Sequence, residues 1–327
     1  MQRRKLICLA AAGTALPAVT GLAQPGRRVR RIGYFSLTTE QDSAAWLVAF
    51  RDGMAELRQT EGRDYVIDAR YANGIPQTAA GLAAELVATQ PDLLLTVADE
   101  AARQLAQRTQ TIPIVFAIAQ DPIATGLAKS LQKPGGNVTG LASLTSELGA
   151  KRLQLLKEAF PKITHVALLF EPENVGSARQ AKEIEAAAPL LGLRLTPIGL
   201  RLAADVDAAF KQAVALGVNA FTMTHGGIIA NRRKAIADQI NRLKLPASFP
   251  DDRFVEVGGL MSYGASQRDN FRRAAAYVDK IFRGAKPGDL PIEQPTKFDL
   301  VVNLKTVKAI GLTLPPSFVV QVSRVIE

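Results

Sequence analysis

The sequence predicts an α/β protein built from two doubly wound parallel-sheet lobes. Three observations carry that reading. Strand-like and helix-like periodicities alternate along most of the chain, and repeated βα units call for a parallel sheet with helices on both faces. The clearest strand, residues 112–118, is one unbroken apolar run, which suits a strand buried on both sides. The alternation then restarts near the middle, so the 327 residues split into two lobes of similar size, as the length suggests.

In the first lobe, strands are expected at 31–37, 65–71, 93–97, 112–118 and 137–143, with helices at 43–59, 78–89 and 99–108. After the fourth strand, Asp121 as N-cap and Pro122 at the first helical position predict a further helix, stopped at Pro134-Gly135-Gly136. The second lobe is expected to hold helices at 147–159, 177–191, 203–216 and 231–243, with strands at 164–170, 193–198, 220–224 and 247–249. The tail departs from this rhythm, with a strand at 259–264, a helix at 267–283, a Gly/Pro-rich turn at 284–295 and a strand at 297–303. It is long enough to revisit both lobes. Several linkers then cross one cleft, which opens and closes by a hinge.

Apolar residues make up 47% of the chain and charged residues 21%, the composition of a globular protein with an ample core. The first 23 residues read as an export signal: Arg3-Arg4-Lys5, an uncharged stretch 6–22, and Gly21-Leu22-Ala23 as a small-x-small cleavage site. A membrane anchor is the competing reading, but the stretch contains Pro17, is rich in Ala, Gly and Thr, and is barely long enough to span. A periplasmic mature protein is therefore expected. The Arg3-Arg4 pair permits twin-arginine export as well as the general route. Cleavage removes Cys8, the single cysteine, leaving no disulfide, thiol chemistry or thiolate site. Net charge falls from +10 to +7, because Arg3, Arg4 and Lys5 leave without an acid. Arg27, Arg28, Arg30 and Arg31 then crowd the new N-terminus, as a solvated leader into the first strand or a contact for anionic lipid.

Cofactor signatures are missing from the sequence. Gly33 is followed by Tyr34, Phe35 and Ser36 rather than a dinucleotide-binding glycine pattern, and neither a P-loop nor a nucleophile elbow occurs. Two separated histidines, His165 and His225, make a poor metal site. No cofactor or metal is expected. What remains is a set of polar groups at strand ends, where open α/β sheets hold ligands. In the first lobe these are Ser36, Asp99, Glu100, Gln120 and Asp121; in the second, Glu171, Asn174, Thr224, His225 and Asp251. Tyr263 joins them as an aromatic lid or as packing between lobes. Each carboxylate reads equally as a helix cap. As ligand contacts, so many acids predict a preference for an amine, at about 1.5–3 kcal/mol per charged hydrogen bond. The competing class is an extracellular enzyme using Asp251 and Asp252, although neighbours on an extended segment point opposite ways.

Five motifs in register between about residues 31 and 327 carry a family resemblance. They are Thr111-Ile112-Pro113-Ile114-Val115-Phe116 with Asp121-Pro122; Pro134 to Gly140 (PGGNVTG); Gly258 to Gly264 (GGLMSYG); Gln294 to Phe298 (QPTKF); and Asn303-Leu304-Lys305-Thr306. The chain resembles ABC-transporter substrate-binding proteins related to the tryptophan-binding lipoproteins, with the type I periplasmic-binding-protein fold. That resemblance implies a monomer without catalysis that traps a small molecule, an amino acid or related amine or aromatic compound, between its lobes. It also implies delivery to an ABC permease and its ATPase in the membrane. Nucleic acid is not an expected partner, because no N-terminal helix-turn-helix is present. The implied lobes are 29–143 with 256–284, and 144–255 with 285–327; residues 258–283 return to the first lobe and the last strand to the second. Three positions depart from the family pattern. Ala98-Asp99-Glu100 stands in place of Gly-Thr-Pro, Glu171-Pro172 in place of Asn-Pro, and His225-Gly226 in place of Asp-Pro. The resemblance therefore implies the scaffold and leaves the ligand open.

Overall fold

Five parallel strands form the first sheet, in the order β2-β1-β3-β4-β5. They are β1 (Arg30–Ser36), β2 (Tyr65–Tyr71), β3 (Leu93–Thr96), β4 (Ile114–Ala119) and β5 (Val138–Ala142), linked by α1 (Glu40–Glu56), α2 (Pro76–Ala88) and α3 (Asp99–Ala106). The protein is seen in a computed structural model that describes residues 28–142 and 146–327; the expected leader and Ser143 lie outside them.

The second sheet has seven strands, ordered β12-β11-β10-β9-β8-β6-β7. Its elements are α4 (Ser146–Ala159), β6 (His165–Phe170), α5 (Val175–Ala187), β7 (Arg194–Gly199), α6 (Asp205–Ala215), β8 (Ala220–Met223), α7 (Gly227–Asn231), α8 (Arg233–Arg242), β9 (Ala247–Phe249), α9 (Asp252–Glu256) and β10 (Met261–Ala265). There follow α10 (Gln267–Phe282), β11 (Phe298–Asn303), α11 (Leu304–Ala309), α12 (Pro316–Val319) and β12 (Arg324–Ile326). The run β7-β6-β8-β9-β10 repeats the first sheet's order, and β11 joins it antiparallel to β10. Both lobes are thus doubly wound, as the alternating pattern predicts.

The apolar strand runs are explained by burial on both faces. Leu93 and Leu95 pack with Trp46, Phe50, Phe271 and Val278 on one side of the first sheet. Leu94, Ile114 and Phe116 pack with Ala83, Leu86 and Leu105 on the other. In the second sheet Val166 and Leu168 enter one cluster, and Ala167 and Leu169 the opposite one. Each large buried side chain contributes about 1.5–3 kcal/mol.

The helix expected after Asp121 does not form. Asp121 caps a single turn, with Thr125 N–H donating to its carbonyl at 3.1 Å, and Gly126 at φ 72 then diverts the chain. The expected helix 231–243 forms as α8, and the short α7 precedes it, the two separated by Arg232.

The lobe boundaries differ from the expected ones at two places. β10 pairs with β9 and β11 in the second sheet, so within 256–284 the chain reaches the first lobe only with α10. There Phe271, Ala274, Ala275 and Val278 join the core of the first sheet. Residues 285–293, expected with the second lobe, instead run along β5: Ile292 N–H donates to Leu131 O at 2.7 Å and Ala142 N–H to Glu293 O at 2.9 Å. A strand follows whichever sheet edge offers hydrogen-bond partners, and composition does not encode that choice. At the N-terminus, Arg28 and Arg30 each reach Asp92 at 3.3 Å.

Candidate ligand-binding cleft

Most polar atoms of the strand-end residues are already spoken for within the chain. Ser36 Oγ lies 2.9 Å from Thr38 Oγ1. Asp99 accepts the N–H groups of Gln120 at 2.6 Å and Asp121 at 3.3 Å, fastening the turn after β4; burial nevertheless pushes its carboxyl up. Glu100 pairs with Arg103 along the half-exposed side of α3. Asp121 accepts Ala124 N–H at 2.9 Å and also pairs with Arg179 of α5. The Gln120 amide oxygen sits close against Gly176, where a Cβ would come within 2.7 Å of it.

In the second lobe, Glu171 is buried and accepts N–H groups of Gly227 at 3.1 Å and Ile229 at 2.9 Å at the start of α7. Burial raises its pKa against those bonds. Asn174 caps α5 by accepting Ser177 N–H, and Thr224 Oγ1 lies 2.6 Å from Ser177 Oγ. Tyr263 is half-buried and stacks on Phe298, ring centroids 6.1 Å apart. Asp251 and Asp252 do not form a dyad. Asp251 is held by Arg253 through two contacts at 2.8 and 3.0 Å, and Asp252 by Arg324 at 2.6 Å. His165 Nε2 lies 2.8 Å from Thr196 Oγ1.

The expected excess of acid is therefore consumed by caps and guanidinium groups. Beside Asp251 and Tyr263, the enclosed atoms left without a partner belong to arginines and a histidine. Arg152 of α4 is fully buried. Its Nη1 reaches the Tyr263 carbonyl at 3.4 Å, while Nε and Nη2 have no hydrogen-bond partner. Burial lowers its pKa to about 10, which leaves it charged at neutral pH. Arg253 Nη1 and His225 Nδ1 are likewise enclosed and unpartnered. Burial first, and then the charge of Arg152, push His225 down to about 3, so its ring is neutral. Burial alone would raise Asp251, but Arg253 holds it below its usual value. His225, Asp251 and Tyr263 belong to the ends of β8 and β9 and to β10, where the parallel strands point their carboxyl termini.

The first lobe closes against this cluster. The Arg253 guanidinium lies 4.8 Å from the centre of the Trp46 ring, a cation–π contact between lobes. Trp46 in turn stacks on Phe271 at 5.4 Å. Arg233 of α8 clasps Asp42 of α1, and Asp121 and Arg179 bridge the lobes a second time. Gly74 shows how close the surfaces come, since a Cβ there would lie 2.6 Å from the Asn231 amide nitrogen. Asn270 of α10, adjacent to Phe271, is buried with both amide atoms unpartnered.

Sequence reasoning reached the strand ends but missed Arg152, Arg253, Trp46 and Asn270. Arg152 follows Lys151 in an amphipathic helix, where a basic pair reads as a solvated face. Arg253 follows two aspartates and reads as part of a surface charge cluster.

Residues 39–326 match the family described as ABC transporter substrate binding protein. The chain belongs to that family. This substrate-binding protein is 24% identical to a tyrosine-binding protein of Clostridioides difficile, over 77% of this chain and 72% of that one. It is also similar to two solved structures at 26% identity, each covering 91% of this chain and all of the other. One is a conserved domain protein of Vibrio cholerae (TM-score 0.84). The second is an ABC domain in complex with L-Trp from Streptococcus pneumonia (TM-score 0.83). The fold is the type I periplasmic-binding-protein fold, as the resemblance implied. Among the described residues of this substrate-binding protein, no cluster of three or more His, Cys, Asp or Glu is arranged to hold a metal. No described helix is long and apolar enough to cross a membrane.

Proposed function

We propose that this substrate-binding protein is the exported, periplasmic receptor of an ABC importer. It captures one small carboxylate-bearing molecule, of the size of an amino acid, between its lobes and delivers it to a membrane permease and ATPase. The observation that carries the reading is the pair of enclosed guanidinium groups with unpartnered nitrogens, Arg253 where the lobes meet at Trp46 and Arg152 beside Tyr263 in the second lobe. A buried charge without a partner costs several kcal/mol, and a ligand carboxylate is the group that offsets it with strong charge-assisted hydrogen bonds. The tyrosine and L-Trp of the relatives' names support a ligand of this size. The strand-end residues, with Arg152, Arg253, Trp46 and Asn270 added, are the proposed walls of the site. Asp121 and Arg233 act at its rim by holding the lobes together.

The protein acts as a monomer that binds and releases its ligand unchanged. Against an enzyme stands the pairing of Asp251 and Asp252 with separate arginines, which leaves neither as a free base. Native mass spectrometry of the protein purified from its periplasm, followed by denaturation and analysis of the released small molecule, tests the reading. One intact molecule per chain, bound again on return to the refolded protein, is expected. Conversion of that molecule on incubation would establish the enzyme instead.

A further inference from the structure

Among the side chains that pair with one another where β8, β9 and β10 end, the charges are unequal, and that inequality specifies the ligand more closely than its size does; the carboxylates of Asp99 and Glu171 are spent on backbone N–H groups. Arg233 is balanced by Asp42 and Arg324 by Asp252. In the central cluster Asp251 balances Arg253, and His225 carries no charge at neutral pH. Arg152 is left without a counter-ion, at 0% exposure and with two unpartnered nitrogens. A zwitterionic amino acid brings a carboxylate for Arg152 but also an ammonium group. That ammonium would enter a cluster whose carboxylate, Asp251, already holds Arg253 through Nε and Nη2. Its charge would also lie near Arg152 and Arg253, whose free donors face it with the wrong sign.

We infer that the ligand is an organic carboxylate without an ammonium group, a net anion, its carboxylate held by Arg152 and Arg253 and its apolar body lying toward Trp46. This rests on the solute-binding reading and narrows it. Arg152 meets the carboxylate through Nε and Nη2, the edge of the guanidinium suited to a two-point grip. Arg253 Nη1 and His225 Nδ1 supply the remaining contacts. Trp46 covers the apolar part as it already covers the Arg253 guanidinium.

Ligand-stripped protein would be titrated with matched pairs that differ only by the amino group: 3-phenylpropionate and L-phenylalanine, 3-(4-hydroxyphenyl)propionate and L-tyrosine, indole-3-propionate and L-tryptophan, and glutarate and L-glutamate. At least one acid is expected to bind about 10-fold or more tightly than its amino partner, about one decade in Kd. An amino acid that binds as well as or better than its deaminated partner overturns the inference and leaves the solute-binding reading intact. Silence from every acid also overturns it, and the native mass spectrum separately reports whether any solute is carried. The variant Arg152→Met is expected to lose acid binding by about 100-fold, because it removes the buried counter-charge. Without ligand, its melting temperature should be unchanged or higher, since an unpaired buried cation has been replaced by an apolar chain. A lower ligand-free melting temperature would make Arg152 a structural residue and overturn its assignment to the ligand.

Discussion

Ala98 joins β3 to α3 with φ 73 and ψ 148, a backbone region open to glycine and costly for any residue with a Cβ. The strain is held by its own N–H, which donates to Ile118 O at 2.8 Å, and by Asp99, which pins the turn at Gln120 and Asp121. Strain of this kind costs about 1–3 kcal/mol, and glycine's extra chain entropy returns about 0.5–1 kcal/mol of that. Ala98→Gly is therefore expected to stabilise the protein by about 1 kcal/mol, a rise of about 2–4 °C in melting temperature. A fall would show that the alanine methyl contributes packing that outweighs the strain. Residue by residue, the sequence located the strand ends well, because a polar group directly after an apolar run is visible in one dimension. Which partner each group takes was not legible there. Asp99, Glu171 and Asp251 turn their oxygens to backbone N–H groups and arginines of this chain, and those partners lie 21, 56 and 2 residues away. An acid's partner is a fact of the fold, and so is the complete burial of Arg152 beside half-buried Lys151.

At the scale of elements, α10 is the piece that ties the tail to the first lobe. Its buried positions Phe271, Ala274, Ala275, Val278 and Ile281 follow helical spacing, and the two alanines let it approach α1. Gly53 marks the closest point, where a Cβ would stand 2.3 Å from the Arg272 carbonyl oxygen. That oxygen belongs to helix backbone and cannot swing away. Gly53→Ala is thus expected to destabilise the protein by about 1–3 kcal/mol through overpacking, read as a lower urea midpoint. An unchanged midpoint would mean that α10 shifts freely and does not lock the lobe. The periodicity that makes α10 legible also made the strands legible, with β2 expected at the boundaries it has. The segment after Asp121 was misread because an N-cap and a proline announce only a beginning. Ile123, Leu127 and Leu131 stand at helical spacing, but Ile123 is exposed and Gly126 at φ 72 diverts the chain after one turn, so Leu127 and Leu131 reach the core from a loop. The placement of β10 was hidden for a different reason: a short buried strand has the same composition in either sheet.

For the whole molecule, the decisive property is that the lobes meet through specific ion pairs rather than a continuous core. The hydrophobic clusters belong to one lobe or the other, while Asp42–Arg233, Asp121–Arg179 and Arg253–Trp46 cross between them. Polar and cation–π contacts of this kind are individually modest, so closure is set by what lies inside the cleft. On the proposed reading, the uncompensated Arg152 disfavours the closed form until a carboxylate arrives. Binding and closure are then one event. Small-angle X-ray scattering on ligand-stripped protein, before and after return of the small molecule released from the native protein, tests this most directly. The account predicts an extended particle that contracts to the dimensions of the closed structure when the ligand is added. An identical radius of gyration in both states would contradict it.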